Sequence, residues 1–355
     1  MVPVIDEFLK QNCRVVVATS GKPLQFLKGE LGDKVEYMVF FGANIKYPKG
    51  EFMFMKLFLQ LPKLLFSIYR EYLWINKQAE IIKPDIIVSD NRYGARSSRV
   101  TSIFVTHQLQ IQLPAGLRWM SVWVNMINHW FVKSFDVCWV PDIATGQGLS
   151  GVLSHGTNLH GVRFTGPLSR FHNWGSHPPP KDFFLLPPKF LLVILSGPEP
   201  QRTLLENLLE EQLHAQNVVW FRGLPDAAGP KNRAFFQKGN HYWFDHAHTS
   251  LMAHCINKSE LVICRSGYSS VMDLCVFAKK ALFIPTPGQT EQEYLAKLLS
   301  EQKYVASLEQ KNIVNLSEKI TFAKSLKGLP LHNSKSTLSL QVSETLKKLE
   351  HHTPC

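Results

Sequence analysis

The sequence predicts an α/β protein of two doubly wound, Rossmann-like domains. Three observations predict it. Short runs of β-branched, aromatic and aliphatic residues alternate with helical patterns along most of the chain, as in parallel sheets covered on both faces. These runs form two sets, separated by HNWGSHPPPKDFFLLPPK (172–189), which is proline-rich, has no periodicity and reads as a linker. At 355 residues, the chain is also longer than one core usually organises.

The elements follow in order. MVPVIDEFLKQ places Val2, Ile5 and Leu9 on one helical face, and Pro3 suits a first helical turn. RVVVATSG (14–21), KVEYMVF (34–40), PDIIVSD (84–90), SIFVTHQ (102–108) and FDVCWVPD (135–142) are the strands of an N-terminal domain over 1–165. FLLVILSG (190–197), NVVWFRG (217–223), HYWFD (241–245), ELVICRSG (260–267) and KALFIPTP (280–287) are those of a C-terminal domain over 166–330. A polar tail, 331–355, is expected after them. A doubly wound domain normally opens on a strand, whereas this chain opens on a helix. The expectation is therefore a first sheet without its leading N-terminal strand and with an aggregation-prone edge.

Composition narrows the function classes. Hydrophobic residues at 45% and charged residues at 19% exclude a mostly disordered chain. A net charge of +11 calls for an anionic partner. No nucleic-acid-binding motif is present and the charge is spread along the chain, which argues against nucleic acid. Six cysteines without a C-x-x-C make neither a disulfide framework nor a zinc site, so a reducing, cytoplasmic location is expected. Acids stand in MVPVIDEFLK where a secretory leader is basic. The apolar stretches 52–69 and 117–140 are broken by Lys56, Pro62 and Lys63, and by Arg118, Asn125 and Lys133, short of the ~18 apolar residues of a span. Residues 45–75 mix Phe, Leu and Met with Lys and Arg, the pattern of a helix lying on an anionic membrane or of a buried core helix.

The chemistry concentrates in ELVICRSGYSSVMDLCVFAKKALFIPTPGQTEQEYLAKLL (260–299). Arg265, Ser266 and Gly267 end a strand and lead into a helix whose first-turn N–H groups, with the Ser269 and Ser270 hydroxyls, suit a diphosphate. Asp273 can accept two hydrogen bonds from a ribose diol, and Gln289, Glu291, Gln292 and Glu293 suit sugar hydroxyls. The plainer alternative is a capped helix with surface Gln and Glu. SGPEPQRT (196–203) follows another strand, where Ser196 and Gly197 allow close backbone approach and Arg202 can pair with phosphate.

The run from Cys264 to Tyr294 closely resembles the C-terminal donor-binding domain of glycosyltransferase family 28. The shared pattern is a hydrophobic strand, C-R-S-G, a hydroxyl-bearing turn, an acid, A-L-F-I-P and a Gln/Glu cluster before Tyr294. The resemblance implies the GT-B fold and a hexosyltransferase using a nucleotide sugar, UDP-linked, as co-substrate, with no other cofactor and no metal. It assigns the ribose to Asp273 and the donor sugar to Gln292 and Glu293. It also places the base pocket in HYWFDHAH, at Phe244 and His246. His241, His246, His248 and His254 match no zinc spacing.

In the N-terminal domain, SDNRYG (89–94) and THQ (106–108) end adjacent strands and so face the cleft. Asp90 and His107 are the candidate catalytic bases, and Asn91 and Arg92 the acceptor-side candidates; an ordinary turn or a structural His is the alternative for each. The expected partners are the nucleotide sugar, a lipid or glycan acceptor and an anionic membrane surface. A non-catalytic nucleotide-sugar-binding subunit and a nucleotide-sugar epimerase are the rival readings.

Overall fold

The computed structural model describes residues 1–40, 61–176, 178–224, 235–331 and 335–350. Of the 45–75 segment, 45–60 lies outside these residues and the rest is helical. Among the described residues, no helix is long and apolar enough to cross a membrane. The N-terminal half runs α1 (Val2–Lys10), β1 (Val16–Thr19), α2 (Gly21–Leu31), β2 (Glu36–Val39), α3 (Leu61–Ile82), β3 (Ile86–Asp90), β4 (Thr101–Val105), α4 (Ser121–Val132), β5 (Val137–Val140) and β6 (Val162–Phe164). Its strands pair in parallel but make two sheets, β1-β2 and β3-β4-β5-β6. Among the described residues, no strand pairs with both β1 and β3, so each is an edge. The consequence is visible in burial. Ile86, Ile87 and Val88 of β3 stay partly exposed, while Ile103, Phe104 and Val105 of β4 are buried. Helix α1 packs between the two sheets' cores. Val2 and Ile5 meet Val17 and Leu31, and Val4 and Phe8 join the cluster around Trp139.

The C-terminal half runs β7 (Leu191–Ile194), α5 (Gln201–Leu213), β8 (Val218–Phe221), β9 (Phe235–Lys238), β10 (His241–Phe244), α6 (Thr249–Lys258), β11 (Leu261–Cys264), α7 (Tyr268–Cys275), β12 (Ala281–Phe283), α8 (Thr290–Glu301), β13 (Ala306–Ser307), α9 (Leu316–Ser325) and α10 (Lys335–Glu350). These strands form one sheet ordered β13-β12-β11-β7-β8-β10-β9, parallel except for β9. The order reverses between β7 and β11, and that switch point opens a crevice beyond the strand ends. Continuous apolar runs explain the sheet. Every residue of β8 and β11 is buried, as a strand covered on both faces requires.

Two expectations about organisation are corrected. Residues 172–189 are not a free linker: Trp174, Phe183 and Leu186 pack on the main core, with Trp174 and Phe277 ring centroids 5.1 Å apart. The segment after 330 is not a bare tail, because 335–350 is helix α10 and its Leu338 and Val342 are buried. Their spacing of four brings one apolar face onto the core. The helix reaches back to the start of the chain, where Gln11 Nε2 donates to Ser343 Oγ at 3.4 Å.

Candidate functional site

The loop after β7 lies at the switch point. Ser196 and Gly197 are exposed there, and Gly197 has φ +98°, a left-handed conformation that favours glycine. Beside it, Gly267 caps α7 with extended backbone, so the first N–H groups of that helix are presented toward the crevice, next to exposed Ser269 and half-buried Ser270. The Gln292 Nε2 approaches this turn, 4.0 Å from where a side chain on Gly267 would begin. These groups therefore converge.

Asp273 lies one turn further along α7. Its Oδ1 accepts from Ser169 Oγ at 2.6 Å, and its Oδ2 is 3.7 Å from Arg170 Nε. Burial raises the carboxyl above its ordinary value, against the opposing pull of Arg170 and the Ser169 hydrogen bond. Arg170 spans the site, with its guanidinium 5.6 Å from the ring of Phe26 in α2 and 4.8 Å from that of Phe171. The segment TGPLSRF (165–171) thus supplies the cation beside the donor-side acid.

Other sequence-predicted residues have different partners. Arg202 is buried and saturated: Nε donates to Glu199 Oε1 at 2.6 Å, Nη1 to Glu206, and Nη2 to Thr203 Oγ1 at 2.7 Å. It is not placed to pair with phosphate. Arg265 is 1% exposed and donates to the backbone oxygens of Ile284, Pro285 and Gln201 at 2.9–3.0 Å and to Gln310 Oε1 at 2.8 Å. Burial pushes it down to about 10, still cationic at neutral pH. It staples the β12 loop to the start of α5. Arg265→Met, which strands three carbonyls, is expected to cost about 2–4 kcal/mol in urea unfolding. A variant that unfolds like the parent but loses nucleotide would return Arg265 to the ligand.

Phe244 is 2% exposed and its ring packs on Phe221 and Phe235, so the ring belongs to the core and leaves only backbone groups to a base pocket. His246 is exposed past the end of β10, and partial desolvation of its ring, followed by the nearby His248 and Arg170 charges, lowers its pKa. Gln292 and Glu293 shape the proline loop: Thr286 N donates to Gln292 Oε1 and Gly288 N to Glu293 Oε1, both at 2.8 Å. Ser266 Oγ donates to the Gln292 carbonyl at 2.7 Å. Gln289 is exposed at the N-cap of α8. Among the four histidines, His241 and His254 engage the carbonyls of Leu213 and Ser250 instead of converging.

On the opposite wall, Asp90 is exposed at the end of β3, and His107 follows β4. Asn91 takes a left-handed turn with φ 54°, and Arg92 pairs with Glu71 of α3 at 2.6 Å beneath Phe40, which removes it from the acceptor side. His107 crosses the cleft. Its Nε2 is 2.9 Å from Glu291 Oε1 at the start of α8, and its ring stacks on Tyr268 at 4.2 Å and 12°. Gln108 Nε2 donates to the other oxygen of Glu291. Tyr268 OH donates to Pro141 O at 2.9 Å, and Thr290 Oγ1 to Gln112 O at 2.9 Å. The pairing of His107 with Glu291 spans 184 positions, and no local spacing reveals it.

Comparison with known proteins gives this geometry its setting. Residues 200–349 match the family described as Glycosyltransferase family 28 C-terminal domain. No curated protein matches the chain. Among solved structures, the calicheamicin glycosyltransferase CalG4 aligns over 100% of this chain and 95% of its own, with TM-score 0.62 and 13% identity. MurG of Acinetobacter baumannii aligns over 96% and 94%, with TM-score 0.50 and 13% identity. A putative UDP-N-acetylglucosamine 2-epimerase from Listeria monocytogenes aligns over 100% and 94%, with TM-score 0.62 and 12% identity. Residues 200–349 thus match a glycosyltransferase family 28 C-terminal domain, and the chain as a whole has the GT-B fold.

Proposed function

We propose that the chain is a glycosyltransferase that moves a hexosyl group from a UDP-linked sugar to a hydroxyl acceptor. The observation that carries this reading is where the family match falls: residues 200–349 contain both the α7 N-terminus and Asp273, at the sheet's switch point. The α7 N–H groups and Arg170 would hold the diphosphate, whose charge grows as the sugar leaves. Asp273, whose Oδ2 lies 3.7 Å from Arg170 Nε, would accept from the ribose hydroxyls. A base on the N-terminal wall takes the acceptor proton. The acceptor oxygen then bonds to the anomeric carbon while the bond to the diphosphate oxygen breaks, and the diphosphate leaves with the electron pair. A single displacement of this kind inverts the anomeric centre, and the charge it releases is met without a metal.

Titration calorimetry of the full chain tests the donor side. UDP and a UDP-hexose are expected to bind, and Asp273→Ala is expected to weaken binding by about 1–3 kcal/mol, the cost of losing a charged hydrogen-bond acceptor. Absence of nucleotide binding, or binding indifferent to this substitution, would end the proposal.

The epimerase reading is favoured by one observation, the TM-score of 0.62 shared by the epimerase and CalG4. Proton NMR of UDP-hexose incubated with the chain and no acceptor separates the readings. An isomerised nucleotide sugar marks an epimerase, slow release of free sugar marks a transferase using water, and bound but unchanged donor marks a binding subunit.

A further inference from the structure

Ser169 stands beside Arg170 in the segment after β6, and both touch Asp273. The segment is fixed from both halves of the chain. Thr165 N and Gly166 N donate to the carbonyls of Val140 at 2.9 Å and Asp142 at 3.2 Å. From the other side, Leu168 N donates to Met272 Sδ at 3.2 Å, and Arg170 Nη2 to Met252 Sδ at 2.7 Å. Ser169 is 1% exposed between these anchors.

Both roles of its hydroxyl are filled. Oγ accepts from Phe171 N at 3.1 Å and donates its one proton to Asp273 Oδ1 at 2.6 Å. Turning that proton away from Asp273 would strand a buried donor, which is costly. Arg170 crowds the same carboxylate. Its backbone N–H hydrogen-bonds to Asp273, and its Nε lies 3.7 Å from Oδ2. A carboxylate offers about four acceptor positions over its two oxygens. Ser169 takes one, the Arg170 N–H takes another, and the guanidinium stands against Oδ2. A ribose diol would need two more.

We propose that Ser169 sets the sugar selectivity of the nucleotide site: by occupying Asp273 Oδ1 it leaves room for one ribose hydroxyl, so the site passes a nucleoside diphosphate that lacks the other. The inference rests on the donor-side reading above, in which Asp273 faces the ribose. A charged acceptor that read the whole diol would reject an analogue lacking either hydroxyl by about tenfold or more. An acceptor with one open position reads only one of them. A second hydroxyl that displaced Ser169 would exchange one charged hydrogen bond for another and gain little. Ser169 is thus a positioning residue, acting on the nucleotide through Asp273.

Titration calorimetry of the full chain with UDP, 2′-deoxy-UDP and 3′-deoxy-UDP tests this. At least one deoxy analogue is expected to bind within about threefold of UDP. Ser169→Ala frees Oδ1, and both analogues are then expected to bind at least about tenfold more weakly than UDP. The readout is a ratio of affinities, which a general loosening of the site would not widen. An unchanged melting temperature checks that the variant folds, and the parent-chain comparison decides alone if it does not. Both analogues falling more than about threefold behind UDP on the parent chain would overturn the inference while leaving the donor-side reading in place. So would a variant whose ratios equal the parent's. If UDP itself does not bind, or binds with indifference to Asp273→Ala, the donor-side reading fails and this inference falls with it.

Discussion

Asp142→Asn is expected to destabilise the chain by about 3–5 kcal/mol, the cost of breaking a buried charged network from one side. Asp142 follows β5, is fully buried and gathers the loop after it. Its Oδ1 accepts from the backbone N–H groups of Ile143 and Leu149, and its Oδ2 from Ser150 N, Ser150 Oγ and Ser154 Oγ, at 2.6–3.1 Å. His155 Nε2 lies 3.3 Å from the same oxygen. An amide keeps the shape but turns one acceptor into a donor facing donors. Burial alone would raise this carboxyl; the hydrogen bonds from His155, Ser150 and Leu149 outweigh it and hold the pKa below its ordinary value. A carboxyl depressed by folding stabilises above its unfolded pKa, near about 4, and loses that contribution as pH falls through the folded value. Urea unfolding at neutral pH and at successively lower pH should therefore show a steep acid decline in the parent and a shallower one in the variant. A variant losing less than about 1 kcal/mol, with the parent's acid limb, would show that the loop holds without this carboxylate.

The same loop ties the two halves together. Gly151 has φ +54°, and a Cβ there would stand 2.2 Å from Tyr294 OH, while that hydroxyl accepts from Val152 N at 2.9 Å. Only glycine fits such an approach. Nothing in GLSGVLSH announces it, because the constraint comes from a residue 143 positions later in the chain.

All ten strand runs expected from periodicity are present, from β1 in RVVVATSG to β12 in KALFIPTP. Long β-branched runs are legible because burial on both faces leaves them no polar residues. The three strands that went unseen, β6, β9 and β13, are short, with two to four residues each, and gain their place from neighbours already in the sheet. Helix α10 was legible in principle. Leu338 and Val342 repeat at helical spacing, but Ser339 and Gln341 between them, with the Lys, Ser, Thr and Glu around them, make the segment polar enough to look like a tail.

At the site, residue types were more legible than directions. The turn at Gly267 and the acid at 273 follow from local spacing on one helix. Arg202 shows what spacing also offered: Glu199 and Glu206 lie three residues before and four after it, the distances at which helical side chains meet. Arg265 gave no such sign, since its acceptors are carbonyls brought in by three separate segments. Phe244 differs again. Whether a strand residue faces the core or the cleft depends on its packed neighbours, here Phe221 and Phe235.

His107→Ala is expected to slow turnover of a UDP-hexose by about 10²–10⁴, the usual worth of a positioned base, while leaving nucleotide affinity within about twofold. The ring is held by two independent contacts, the Glu291 carboxylate at Nε2 and the face of Tyr268. With Nε2 given to Glu291, Nδ1 is the nitrogen left to take an acceptor proton, and Glu291 stabilises the imidazolium that results. Glu291→Gln keeps a hydrogen bond but removes that charge, so it is expected to lower kcat less than His107→Ala does and to leave KM for the donor nearly unchanged. Release of free hexose with water as acceptor supplies the readout. Asp90 stands at the end of the neighbouring strand, with β3 and β4 in parallel register, so Asp90→Asn is the matched control. If His107→Ala turns over donor within about threefold of the parent while Asp90→Asn does not, the base is Asp90 and His107 serves only to bridge the cleft to α8.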